Sequence, residues 1–108
     1  MRLVMRIETT ADETTVWLTG ELDHHAARQL RQQVDLAVER TRPQRLRLDF
    51  SDVSFMDSSG IGLVMGRYKL LEGTGAVLEL RGLSSPVKRV MRLAGLDRIA
   101  VMDGGTKK

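Results

Sequence analysis

Between Leu46 and Leu71 the apolar pattern changes its period once, and that change constrains the fold more than any other feature of the chain. Leu46-Arg-Leu-Asp-Phe50 alternates apolar and charged residues, the period-2 pattern of a strand. From Ile61 to Leu71 the apolar residues recur at helical spacing instead. The stretch between them, Ser51-Asp-Val-Ser-Phe-Met-Asp-Ser-Ser-Gly60, is therefore a strand-to-helix junction that places Asp57, Ser58, Ser59 and Gly60 at a helix N-terminus. Asp57 is expected as the N-cap, its carboxylate accepting from unpaired N–H groups of the first turn. Ser58 then takes the first helical position, where a phosphate would meet free N–H donors and the positive end of the helix dipole.

The helix after this junction has two readable faces. Ile61, Val64, Met65, Tyr68 and Leu71 are expected to face the core. Ser59, Gly62, Leu63, Gly66 and Leu70 lie opposite, an uncharged side with two glycines one turn apart. An interior glycine costs about 0.8–1 kcal/mol relative to alanine in a helix, so a close approach should offset it. Either another chain docks on this face or a neighbouring helix of the same domain packs there.

Around this unit the pattern reads as strands alternating with helices. Arg2–Glu8 and Thr14–Thr19 are strands joined by a polar loop, with Gly20 ending the second. Asp23 caps a helix from His24 to about Glu39, whose apolar positions are Ala27, Leu30, Val34, Ala37 and Val38. Glu72-Gly-Thr-Gly75 stops the central helix, Ala76–Leu80 is a strand, and Ser85 caps a short helix with Pro86 at its first position. Ile99–Met102 is a last extended segment before a C-terminal tail. The order specifies an α/β fold: a single domain, 1–108, with a mixed, mostly parallel sheet of four to five strands and helices packed on it by right-handed crossovers. Leu46–Phe50 is the expected central strand, buried on both faces at its C-terminal end. Loops at the carboxyl ends of parallel strands share one edge, so the acidic Glu21-Leu-Asp23 loop should lie beside the Asp57–Gly62 junction.

Composition excludes several chemistries. There are no cysteines, hence no thiolate metal site, disulfide or thiol nucleophile. Adjacent His24 and His25 point about 100° apart on a helix and do not converge on one metal. No Gly-rich phosphate loop with its lysine and no Gly-x-Ser-x-Gly elbow is present, so neither a cofactor nor enzyme activity is expected. The net charge is +3, but the basic residues are dispersed and aromatics few, which argues against nucleic acid. No apolar run has the length of a membrane span and no signal-peptide core precedes the first strand, so the chain is expected in the cytoplasm.

Gly20-Glu-Leu-Asp-His-His25, Val53-Ser-Phe-Met-Asp-Ser-Ser-Gly-Ile-Gly-Leu63, Gly66-Arg-Tyr-Lys69, Ser85-Pro-Val-Lys-Arg89 and Gly95-Leu96 together resemble the STAS-domain anti-sigma factor antagonists, and among them the sporulation sigma-F antagonists (the SpoIIAA type). The resemblance runs through essentially the whole chain in order. It implies a partner switch. The unphosphorylated protein would bind an anti-sigma factor that is also a serine kinase, carrying ADP or ATP, and so free the sigma factor. The kinase would phosphorylate Ser58, the phosphorylated form would let go, and a PP2C-type phosphatase would reset it. The partner surface expected from the junction and the resemblance comprises Glu21, Asp23, Asp57, Ser58, Ser59, Gly60, Gly62, Leu63 and Gly66, with no catalytic residue, no metal, no membrane and no nucleic acid, on a protein monomeric when free. A STAS module of a general-stress pathway and a ligand-sensing STAS domain are the alternative readings.

Overall fold

Five strands form one sheet in the order β1-β2-β3-β4-β5, in a computed structural model that describes residues 2–102. The elements are β1 (Val4–Thr9), β2 (Glu13–Leu22), α1 (His24–Thr41), β3 (Arg45–Met56), α2 (Ser59–Leu71), β4 (Val77–Arg81), α3 (Ser85–Leu93), a 3-10 turn (Leu96–Arg98) and β5 (Val101–Met102). The β1–β2 pair is antiparallel and the other pairs are parallel. The expected mixed α/β sheet is therefore present, with β3 at its centre. The sequence-derived tail falls at 103–108, outside the described residues.

One face of the sheet carries the core. Val16, Leu18, Leu46, Leu48, Phe50, Leu78 and Leu80 point there and meet Leu30, Val34 and Val38 of α1, Leu63, Val64 and Leu71 of α2, and Met91 of α3 in one apolar cluster. Burying a residue of this size contributes about 1.5–3 kcal/mol. The other face is polar. Glu79 of β4 accepts from Arg45 Nη1 (2.8 Å) and Arg47 Nε (3.0 Å) through one carboxylate oxygen and from Arg81 Nε (2.6 Å) through the other. Beside them the Arg6 guanidinium stacks 4.1 Å from the Trp17 ring centroid. The expectation that β3 is buried on both faces is thus corrected: its second face is charged, and Ser51, Asp52, Ser54 and Phe55 are exposed.

Two strands run further than their sequence patterns. Gly20 does not end β2. It adopts φ +114° inside an irregular stretch of the β2–β3 ladder, and a Cβ there would lie 2.6 Å from the Arg2 carbonyl oxygen, so glycine lets the strand continue to Leu22. β3 likewise continues past Phe50 to Met56 by pairing with this extension of β2. At α3 the cap is Ser84, one residue before the expected Ser85, and its hydroxyl accepts from the Val87 N–H at 3.4 Å.

Between α1 and α2 lies an ion pair that the apolar pattern does not reveal. Arg67 is only 4% exposed, and its Nε lies 2.9 Å from Asp35 Oδ1. Burial pushes the Arg67 guanidinium below its ordinary value, opposed by the Asp35 charge, and burial likewise pushes the Asp35 carboxyl up, opposed by Arg67.

Candidate functional site

The ends of β2 and β3 are tied together at the carboxyl edge of the parallel strands. Leu22 is in register with Met56, and the Asp57 N–H donates to the Leu22 carbonyl at 3.4 Å. The Glu21–Asp23 loop therefore sits against the Asp57–Ser58 junction, as strand topology requires. Asp23 is the α1 cap, its carboxylate accepting from the Ala26 N–H at 2.8 Å, and it remains exposed. Glu21 is exposed beside it.

The junction itself differs from the expected cap. Ser58, not Asp57, occupies the N-cap position, with φ −63° and ψ −14° and no side-chain capping bond. Asp57 works one residue earlier: its Oδ1 accepts from the Ser59 N–H at 2.8 Å, an Asx turn, and its carbonyl accepts from Gly60 at 3.0 Å. The Ser58 carbonyl accepts from Ile61 at 3.1 Å and Gly62 at 3.4 Å. These bonds occupy the first-turn N–H groups that were expected to receive a phosphate. A phosphate on Ser58 would therefore face the helix dipole and water, with the Asp57 carboxylate as a close neighbour. The Ser58 side chain is exposed, so the fold itself does not oppose the modification.

Two of the expected surface residues belong to the interior. Gly60 is buried, and a Cβ on it would fall 2.3 Å from Met56 Sδ; glycine here lets α2 start close against β3. Leu63 is a core residue at 5% exposure, whereas Met65, expected inside, is 47% exposed. The pair Leu63 and Arg67, one turn apart, rotates α2 away from the orientation that its apolar residues alone suggest. Ser59 is half-buried.

Gly62 and Gly66 remain on the outside. A Cβ built on either meets nothing within 4 Å, so among the described residues no other helix packs on that position, with Gly62 exposed and Gly66 half-buried. Exposed at the carboxyl edge are therefore Glu21, Asp23 and Ser58, with half-buried Asp57 and the bare glycine side of α2 beside them. An open cleft of about 1060 Å³, lined by Asp12, Arg42, Gln44 and Thr74 among others, lies at the opposite end of the sheet. Among the described residues no group of three or more His, Asp or Glu residues is placed to hold a metal ion, and no helix is long and apolar enough to cross a membrane.

Comparison with known proteins places the fold in a family. The family model described as "Mlab, STAS domain" matches residues 5–102. An anti-sigma F factor antagonist of Paenibacillus polymyxa is 36% identical over 99 residues, which span 92% of this chain and 85% of that relative. An anti-sigma-B factor antagonist of Bacillus subtilis (strain 168) is 30% identical over 99% of this chain and 100% of that relative. The anti-sigma factor antagonist SpoIIAA has the same fold in both of its solved forms. In the unphosphorylated form the TM-score is 0.77 at 32% identity, covering 95% of this chain and 90% of that one. The phosphorylated form, from Bacillus, gives 0.75 at 32% identity, covering 94% and 93%.

Proposed function

The chain belongs to the STAS-domain family of anti-sigma factor antagonists, and from that premise we propose that it is a partner switch controlled at Ser58. Unphosphorylated, it binds an anti-sigma factor that is a serine kinase, and the sigma factor held by that partner is released. The kinase transfers the γ-phosphoryl group of ATP to the Ser58 hydroxyl oxygen; the hydroxyl proton is lost and ADP leaves. The modified protein then dissociates, and a PP2C-type phosphatase hydrolyses the phosphoester to restore the hydroxyl. The chain itself supplies no catalytic group and, when not bound to its partner, is a monomer in the cytoplasm.

The observation that carries this reading is the position of Ser58. It is exposed, it makes no side-chain capping bond, and it stands between an acidic loop and the open side of α2. Phosphorylation adds about −1.5 to −2 charges at neutral pH. With the nearby N–H donors already engaged by Asp57 and by the Asp57 and Ser58 carbonyls, the new charge has no free donor in the first turn and lies near Asp23 and Asp57. A partner seated on Gly62 and Gly66 would have to desolvate it, at a cost of several kcal/mol. Since about 1.4 kcal/mol is tenfold in affinity, release needs no large conformational change.

The sigma-F system of sporulation is the first assignment, because the sigma-F antagonist of P. polymyxa has the higher identity of the two relatives compared. A general-stress role is the second reading, favoured by the full-length match to the sigma-B antagonist. Incubation with the cognate kinase and ATP, followed by intact mass and peptide mapping, tests the switch. One phosphate on Ser58 is expected. A kinase active on another substrate that leaves this chain unmodified would overturn the proposal, and a phosphate on Ser59 would move the site by one residue.

A further inference from the structure

The basic residues are dispersed, but the net positive charge is not. Residues 84–108 contain six of the 17 basic residues and two of the 14 acidic ones; residues 1–83 contain 11 basic and 12 acidic. The whole positive excess therefore belongs to the last quarter of the chain, and α3 holds three basic residues and no acidic one. The same helix exposes apolar surface. Leu93 is 82% exposed and Val90 51% exposed, while Met91 is fully buried. At about 100° per residue, Pro86, Val90 and Leu93 fall in one stripe roughly 60° wide, well away from Met91, with Arg89 and Arg92 along one side. The i, i+4, i+7 spacing is that of a helix offering anchors to a groove. Val87, about 60° round the helix from Val90, links the edge of this stripe to the carboxyl end of β3. The first turn of α3 lines a shallow groove with β3 residues up to Met56, and Phe55, 51% exposed, stands in its wall three residues before Ser58.

We infer that α3 is a second contact with the same anti-sigma factor, and that the partner meets it with an acidic, apolar-lined surface. The inference rests on the partner-switch reading and adds a charge pattern to it. The Ser58 end of this chain presents Glu21, Asp23 and Asp57, so a partner that spans both regions needs basic groups opposite the junction and acidic groups opposite Arg89 and Arg92. An anionic lipid surface fits less well, because the chain outside this segment is slightly acidic and only a short stripe is apolar. Phosphorylation of Ser58 changes one end of this bipolar surface and leaves the other unchanged, so α3 sets the residual affinity of the modified form.

The test is titration of the ADP-loaded anti-sigma factor of the same organism with four forms of the full chain: wild type, Arg89→Glu/Arg92→Glu, Leu93→Asp and Ser58→Asp. Circular dichroism melting checks that the surface variants stay folded. The charge reversal is expected to weaken binding about tenfold at low salt, with the difference shrinking as salt is raised, and Leu93→Asp to weaken it about tenfold at all salt concentrations. If both bind within twofold of wild type while Ser58→Asp binds poorly, the α3 contact is wrong and the partner switch stands. If wild type does not bind, both fall. If phosphatidylglycerol vesicles bind wild type and not the charge reversal, while affinity for the anti-sigma factor is unchanged in the reversal, α3 is a lipid contact and the inference is overturned.

Discussion

At the scale of single residues, the site combines groups with opposite obligations. Asp23 and Asp57 each hold backbone N–H groups, at Ala26 and Ser59, while their charge faces the surface that a partner would cover. Gly62 and Gly66 do the reverse: they cost helix stability, and among the described residues a Cβ on either would meet nothing within 4 Å. That pairing gives a sharp prediction. Gly66→Ala, and independently Gly62→Ala, should stabilise the free protein by up to about 1 kcal/mol, because alanine is the better helix former and its Cβ meets open space. Each should weaken binding to the anti-sigma factor by intruding on a close approach. Melting curves and titrations check both arms together. A variant that melts higher and binds as well as wild type would show that α2 keeps these glycines for another reason. The junction was legible in the sequence because Asp-Ser-Ser-Gly follows a strand pattern and precedes a helical one. The Asx turn was not, since Asp57 is equally suited to capping the helix and to bonding two residues ahead.

At the scale of elements, α1 starts where its pattern places it, with Leu30, Val34 and Val38 buried and Ala27 and Ala37 half-buried, because all its apolar residues but the exposed Leu36 form a single stripe. On α2 they do not. Ile61, Leu63, Val64, Met65 and Leu70 surround the helix, so period alone selects no face. The orientation is decided by Arg67, whose partner Asp35 is 32 residues away on α1. One signal was available: Arg67 lies three and four residues after Val64 and Leu63, on the same side of the helix as both. The charged sheet face was hidden for a related reason. Alternation marks Arg45, Arg47, Glu79 and Arg81 as outward-facing, but only strand order brings Arg47 opposite Glu79. Burial pushes the Glu79 carboxyl up, yet the hydrogen bonds from Arg81 and Arg47, with their charges, outweigh it and hold the group below its ordinary 4.5. A carboxyl depressed in the folded state adds stability above its unfolded pKa and loses it as pH falls through the folded value. Glu79→Gln should therefore cost about 2 kcal/mol near pH 7, with the gap to wild type closing below about pH 4. Denaturant unfolding at a series of pH values checks this. A gap independent of pH would mean that shape, not charge, is what Glu79 supplies. Asp35, raised by burial, has the opposite pH dependence, but it is present in both proteins and drops out of the difference.

At the scale of the whole molecule, the sheet separates its tasks by side and by end. One face carries the apolar core with the helices packed on it, the other an arginine–carboxylate lattice, and the carboxyl edge holds Ser58 beside the acidic loop. This division was largely readable before the structure, since β-β-α-β-α-β-α order with right-handed crossovers leaves few arrangements. What the order does not contain is the extension of β2 and β3 to Leu22 and Met56, which depends on a glycine in a left-handed conformation inside a strand. That extension joins the acidic loop to Ser58, so the reach of two strands sets how close the acidic groups stand to a phosphate. On the proposed mechanism, charge placed there excludes the partner without reshaping the domain. The most direct measurement is the affinity of the ADP-loaded anti-sigma factor for the unphosphorylated and the Ser58-phosphorylated protein, each with an amide spectrum recorded alone. A loss of about a hundredfold or more in affinity, equivalent to about 2.7 kcal/mol, is expected, with spectral changes confined to residues around Ser58. Equal affinity, or a loss accompanied by shifts throughout the sheet, would contradict it.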